Sequence, residues 1–483
     1  MEAEPPSAPG DSGPVPTEEQ EQAIERRAEP LLLSAAAGSG KTSVLVERFV
    51  RAVLRDGIAP GRILAITFTE RAAGELRARV RLRLLELGDR AAARDTEAAF
   101  VGTFHGFCAR LLRAHPLAAG LDPDFAIVDE GLAGRLRQLA YGAALTGFLE
   151  GERAEAVDLI AAYGADTARR MVEQTYAELR SRGQRMPRLP RLPRVEPAAA
   201  GEQAEALDAE AARACLLLDE LLERFGTAYE QLKRARSALD FDDLELLARE
   251  LLEEHEGVRA AWSERFELLM VDEFQDTNPR QLGILTALER ENLFTVGDEL
   301  QSIYGFRHAD VRLFRERRAE LRERDRSLAL TRNFRGLEPL LETVNIAFAE
   351  RFEDFTPLVA ARLPPPPGGP TRGDEQEPLV ELLLTDSQGW EESEELAAAV
   401  AAGLPHAQVW RQAEARLLAG RVAELVAEGK ARAGEVVVLL RAGGDLEVFE
   451  RALQLRGLRT LAAVGAFWGH QQIGDLIAYL RAL

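Results

Sequence analysis

Short, continuous apolar runs alternate with stretches of helical period along this chain. Glu29 to Ser34, Ile63 to Phe68, Leu268 to Val271 and Leu293 to Val296 are each short, mainly apolar runs. That is the pattern of strands buried on both faces of a parallel sheet. Between the first two, Thr42 to Leu54 has a helical pattern and follows a Gly-rich turn, so the order is a βαβ unit in an α/β fold. From about Arg110 to Asp240 the pattern is almost wholly helical, broken by an extended basic loop at Pro187 to Pro193. This block is expected to be a large helical insertion within the first α/β domain. Leu363 to Pro370, dense in Pro and Gly, reads as a linker. Beyond it, 379–384 and Glu435 to Leu440 are expected to be strands flanking helices, the beginning of a second α/β domain. No internal repeat is found.

A length of 483 residues predicts about three domains. With 46% hydrophobic and 29% charged residues the chain is globular in composition, and 39 Gly and 23 Pro exclude a low-complexity reading. No run approaches the ~18 apolar residues of a membrane span. Met1 to Pro16 lacks an apolar core and reads as a disordered lead-in and not a signal peptide. Two cysteines, Cys108 and Cys215, supply neither a disulfide framework nor a four-ligand zinc site, which points to a reducing cytoplasm. The net charge of −20 argues at first sight against a nucleic-acid partner. Two local runs, Gly61 to Gly120 and Ala161 to Ala200, each carry an excess of four positive charges; on charge alone the simpler account of both is a solvated helix face. Lys occurs only at 41, 233 and 430.

Lys41 lies in the segment that carries chemistry. Ala35, Ala36, Ala37, Gly38, Ser39, Gly40, Lys41 and Thr42 stand between a strand and a helix, where a phosphate-binding loop belongs, with Ala35 in the place usually held by Gly. Gly38 and Gly40 let backbone N–H groups face phosphate oxygens at a helix N-terminus. Lys41 supplies positive charge for the β- and γ-phosphates, and the Thr42 hydroxyl can ligate Mg²⁺. The second half of such a site is an acid pair at the end of an apolar strand, and Asp272 and Glu273 follow Val271 in that way. Asp272 is the expected metal ligand, and Glu273 the expected acceptor of a proton from the attacking water. ATP and Mg²⁺ are the cofactors these residues imply.

Taken in order, the motifs resemble those of superfamily-one helicases of the UvrD/Rep type, and in particular the AddA/RecB-like branch. Pro16 to Ile24 resembles the family's Q motif, with Gln20 reading adenine; Ile66 to Leu76 and Val101 to Cys108 resemble segments that contact single-stranded DNA. Val296 to Arg307 resembles the segment in which Gln301 senses the γ-phosphate while Tyr304 and Phe306 lie against bases. Arg332 to Arg335 resembles the segment in which Phe334 stacks on adenine and Arg335 reaches the γ-phosphate. Leu239 to Leu244, Glu414 to Arg416 and Leu439 to Arg441 are also family-like. The resemblance implies a RecA-like P-loop motor domain at 16–110 and 240–335, a helical insertion at 111–239, a linker region at 336–374 and a partial second RecA-like domain at 375–483, after a lead-in at 1–15.

The resemblance also implies single-stranded DNA, or DNA with single-stranded ends, as partner, met by Phe68, Thr69, Arg71, Thr103, His105, Tyr304, Phe306 and Arg307. Aromatic faces beside Arg and His suit such a strand on physical grounds as well, although an aromatic after a strand is more often core, and a lone His more often structural. A partner subunit of a helicase–nuclease complex is a further implication, and a membrane role is not. Past Phe467 to Ile473, where a large helical insertion begins in relatives, two motor motifs are missing, so the chain is expected to be the front part of a motor. The expected function is ATP-dependent translocation on DNA in recombination or repair. The rivals are an ATP- and DNA-binding portion without productive turnover, and a P-loop regulatory ATPase without DNA.

Overall fold

The computed structural model describes residues 16–150, 154–190, 202–305, 308–352, 355–362, 380–385, 407–461 and 479. They fall into two compact units divided at Gly336, with Arg351–Arg362 returning to the first. In chain order the first unit opens with α1 (Glu18–Glu25), β1 (Leu31–Ala35), α2 (Lys41–Leu54), β2 (Ile63–Thr67), α3 (Glu70–Glu86), α4 (Arg90–Asp95), β3 (Phe100–Thr103) and α5 (Phe104–Ala114). Next come β4 (Ala126–Ile127), α6 (Glu130–Leu149), α7 (Ala154–Tyr163), α8 (Ala165–Ser181), α9 (Glu202–Arg234) and β5 (Ala238–Leu239). It continues with α10 (Phe241–Glu254), α11 (Glu256–Arg265), β6 (Leu268–Val271), α12 (Pro279–Leu288), β7 (Leu293–Gly297), α13 (Val311–Glu323), β8 (Ser327–Leu330) and β9 (Arg332–Asn333). The second unit holds α14 (Glu338–Phe348), after which β10 (Val359–Ala360) pairs with β9 in the first; α15 (Val409–Ala427) and α16 (Leu446–Leu455) follow in the second.

A six-stranded sheet in the order β3-β2-β6-β7-β1-β8 organises the first unit, and every neighbouring pair is parallel. Successive residues of a strand point to opposite faces, and the core divides accordingly. Leu31, Leu33, Ile63, Ala65, Leu268 and Met270 pack with α1 to α4 on one face. Leu32, Leu64, Ile66, Leu269 and Val271 pack with α5 and α10 to α13 on the other. Helices on both faces are why these strands read as unbroken apolar runs. All the C-terminal strand ends consequently lie along one edge, where open parallel sheets bind their ligands.

Helices α6 to α9 have a core of their own, centred on Leu136, Phe148, Tyr176, Leu221 and Phe225. An ionic cluster fastens it to α10. Lys233, fully buried, lies 2.5 Å from Asp243 and 3.1 Å from Asp240, and the Arg180 guanidinium donates to Asp243. Burial and the neighbouring Asp240 push Asp243 up to about 6.

In the second unit α15 and α16 pack around Ala415, Ala419, Val448 and Phe449. The strands expected at 379–384 and 435–440 are absent from the described parts of those segments: 380–385 and 436–440 join no ladder. Val436, Val438 and Leu440 nevertheless pack against the helices while Val437 and Leu439 are exposed, so the backbone alternates as a strand does but lacks a hydrogen-bonding neighbour among the described residues. The linker at Leu363 to Pro370 and the segment Phe467 to Ile473 lie outside the described residues.

Candidate nucleotide and DNA sites

β1 delivers the chain into a tight loop whose two glycines take left-handed angles, φ +76° at Gly38 and +92° at Gly40. Gly40 is the N-cap of α2, and no side chain caps that end, so the first N–H groups of the helix keep their affinity for an anion. Neighbours crowd both glycines. A Cβ on Gly40 would stand 2.6 Å from Gln20 Nε2, and one on Gly38 would stand 2.7 Å from Arg335 Cβ. Gln20 closes a capping box with Thr17 and donates from Nε2 to the Ser39 carbonyl at 3.0 Å, so the expected adenine reader here braces the loop. Ser39 in turn folds its hydroxyl onto the Ala36 carbonyl at 2.6 Å.

From the opposite side, Asn333 Nδ2 donates to the Ala37 carbonyl at 2.6 Å and the Phe334 N–H to the Gly38 carbonyl at 2.8 Å. Asn333 Oδ1 accepts the N–H groups of Arg335 and Gly336. The stretch after β8 is thereby latched to the phosphate loop. Phe334 and Arg335 are left exposed beside it.

The acid pair sits at the end of β6. Glu273 is held at φ +50°, which a non-glycine residue adopts only at a cost of order 1–2 kcal/mol. Its Oε2 receives Lys41 Nζ at 3.0 Å and Gln275 Nε2 at 2.8 Å. Asp272 Oδ1 accepts the Glu273 N–H. Burial, and next the charge of Glu273, push both Asp272 and Asp276 up to about 6. Asp276 Oδ1 is buried without a hydrogen-bond partner. This corner is short of positive charge, and the hard oxygens of Thr42 and Asp272 are the donor types Mg²⁺ takes. Among the described residues no three His, Cys, Asp or Glu side chains are placed to hold a metal unaided. Gln301 donates to Asp298 at 2.6 Å in the turn after β7.

Farther along the same edge lie the expected DNA residues. Phe68, just past β2, stacks on Tyr304 with ring centroids 4.6 Å apart. Thr69 caps α3 through its hydroxyl, and Arg71 is exposed beside it. Thr103 caps α5 and donates to Glu70 at 2.7 Å, so its hydroxyl is occupied internally. His105 leans on buried Glu245 at 3.2 Å. Burial opposes ionisation of Glu245, but the hydrogen bond from His105, the charge of Arg280 and the Gln281 amide hold it at about 2. Phe306 and Arg307 lie outside the described residues.

The two basic runs differ from a continuous track. Arg77 donates to a backbone carbonyl, Arg83 pairs with Glu47, and Arg169, Arg180, Arg182, Arg185 and Arg188 all face acids. The residues that sequence reasoning did not single out are Asn333, Gln275, Asp276 and Glu245. Each is polar and buried, and proximity to a motif is the only signal they leave in the sequence.

The model of the UvrD/REP helicase N-terminal domain matches residues 16–321. The chain is 28% identical over 488 residues to the ATP-dependent DNA helicase UvrD1 of Mycobacterium tuberculosis, covering 96% of this chain and 52% of that protein. It is 32% identical to the ATP-dependent DNA helicase PcrA of Leuconostoc citreum (68% of this chain, 38% of that protein). With an ATP-dependent helicase/nuclease chain of Syntrophomonas wolfei it shares 28% identity (69% of this chain, 38% of that protein). The chain thus spans about half or less of the length of these curated relatives. With a Gly-rich loop and an acid pair meeting at one edge of a parallel sheet, and the family model matching most of its length, the chain belongs to the UvrD/REP helicase family.

Proposed function

We propose that this chain carries the ATP-hydrolysing, DNA-gripping part of a motor that moves on single-stranded DNA in repair or recombination. The observation that supports it above all is the meeting of Lys41, from the phosphate loop, with Glu273, from the end of β6, at 3.0 Å. On this reading the first motor domain is a RecA-like fold built from 16–110 and 240–335. The helical block 111–239 is inserted in it, and a partial second motor domain starts near 375. The α2 N–H groups and Lys41 hold the triphosphate, Phe334 stacks on adenine, and Arg335 and Gln301 attend the γ-phosphate. Glu273 accepts a proton from water as the water oxygen bonds to the γ-phosphorus and ADP departs. Thr42 and Asp272 would hold Mg²⁺, which when bound would supply charge neutralisation along the phosphates. Phe68 and Tyr304 offer π-faces to bases, and Arg71 meets a phosphate.

The test is ATP hydrolysis with and without a single-stranded oligonucleotide. Stimulation by DNA, lost in Lys41→Ala, is the expected result. Binding of both ligands without turnover would leave only a binding portion, and indifference to DNA would refute the reading. DNA affinity should also fall as salt rises, because phosphate contacts release counterions.

A further inference from the structure

Gln275 is almost completely buried, and both ends of its amide are engaged by different loops. Nε2 donates to Glu273 Oε2 at 2.8 Å, the same oxygen that receives Lys41. Oε1 accepts the Asp298 N–H at 3.0 Å, and the Gln275 carbonyl accepts the Ser302 hydroxyl at 3.2 Å. Gly297 has no room for a side chain there, since a Cβ would stand 2.4 Å from Gln275 Oε1. Asp298 begins the turn that carries Gln301, and two residues past Ser302 the chain reaches Tyr304, stacked on Phe68. One amide therefore spans from the expected proton acceptor to the loop of the expected DNA platform.

A buried glutamine could do no more than satisfy a backbone N–H. The shared oxygen argues for more. When a triphosphate draws Lys41 away, Gln275 is the donor that stays on Glu273 Oε2 and decides where the carboxylate points. Its own orientation depends on the Asp298 N–H. At 4.6 Å the Phe68 and Tyr304 rings leave no room for a base between them, so a base entering the stack must part Phe68 from the Tyr304 loop. That loop begins where Gln275 is anchored. We infer that Gln275 is a positioning residue that couples single-stranded DNA at the Phe68–Tyr304 platform to the placement of Glu273 at the nucleotide. The inference rests on the proposed function.

Its test needs no turnover. The affinity for a fluorescent single-stranded oligonucleotide is measured with and without a non-hydrolysable ATP analogue and Mg²⁺. The ratio of the two is the coupling between sites, on the order of tenfold where sites communicate. In Gln275→Met, which keeps the shape and removes both polar ends, the ratio should fall to within about twofold of one while each ligand alone binds as before. Gln275→Glu keeps the acceptor for Asp298 and loses the donor to Glu273; it should also lose coupling, and serves if the Met variant does not fold. A wild-type ratio retained in either variant overturns the inference. So does a wild-type ratio of one with both ligands bound, which leaves the proposed function standing. A folded wild type that binds neither ligand overturns both.

Discussion

Asp272 should make nucleotide binding depend on pH in a defined direction. Its carboxyl titrates at about 6 in place of 3.8, because it is buried and Glu273 stands beside it. At about 1.4 kcal/mol per pH unit this is roughly 3 kcal/mol set against the charged form. A raised carboxyl costs the ligand-free fold most above pH 6, and the cost disappears as pH falls below 3.8. Acidification from 7 to 5 therefore favours the empty protein and disfavours the metal-bound one, since only the carboxylate ligates. Between pH 7 and pH 5 the ionised fraction falls about tenfold, and the affinity contributed by this residue falls with it. The assay is the dissociation constant of a fluorescent ATP analogue with Mg²⁺ across that range, in wild type and in Asp272→Asn. The γ-phosphate titrates in the same window, so the readout is the ratio of the two proteins' affinities and not either slope. Wild type should bind more tightly at pH 7 and converge on the variant at pH 5. A constant ratio would refute the assignment of Asp272 as metal ligand.

Glu273→Gln should keep nucleotide bound and cut hydrolysis by about 10²–10⁴-fold, read in a single-turnover chase; normal turnover would remove Glu273 as proton acceptor. Gly38→Ala puts a Cβ 2.7 Å from Arg335 Cβ at φ +76°, and should weaken nucleotide binding at least about tenfold without loss of helix content. Unchanged affinity there would contradict the close approach of the 333–335 segment. Glu245→Ala removes the buried acceptor of Arg280 Nη2, Asn278 and Gln281 while Asp242 still holds Arg280 Nη1, and should cost about 3 kcal/mol in denaturant unfolding. In the wild type the stabilisation from Glu245 is complete above its ordinary 4.5 and is lost as pH falls through about 2.

What was legible in the sequence is what repeats along the chain. β1, β2, β6 and β7 were readable to within two residues at either end because both faces of each are covered, leaving at most one small polar residue in each run. The Gly-rich loop between β1 and α2 was readable because its demands fall on consecutive residues. β8 is only Ser327–Leu330 and is defined by its pairing with β1, which nothing local announces. Residues 436–440 show the converse: the two-residue alternation is in the sequence and in the packing, but a ladder needs a neighbour that periodicity cannot supply. Asn333 and Gln275 were illegible for a related reason. A buried amide is chosen by the partners on either side of it, and here those partners lie 296 residues away at Ala37 and 23 residues away at Asp298.

The site shares one property across its parts: groups expected to face a triphosphate each hold a protein partner. Lys41 holds Glu273, Gln301 holds Asp298, and Gln20 holds the Ser39 carbonyl. A cation shielded as Lys41 is would be costly to leave unpaired, so the carboxylate stands where phosphate oxygens would otherwise be. Nucleotide binding is then an exchange, and on the proposed reading the exchange imposes an order. While Lys41 is paired with Glu273, the carboxylate is held on the lysine. Once phosphate claims the lysine, Glu273 is released with Gln275 alone on its Oε2. On the proposed reading the Lys41–Glu273 ion pair is thus the contact whose exchange for phosphate prepares the site.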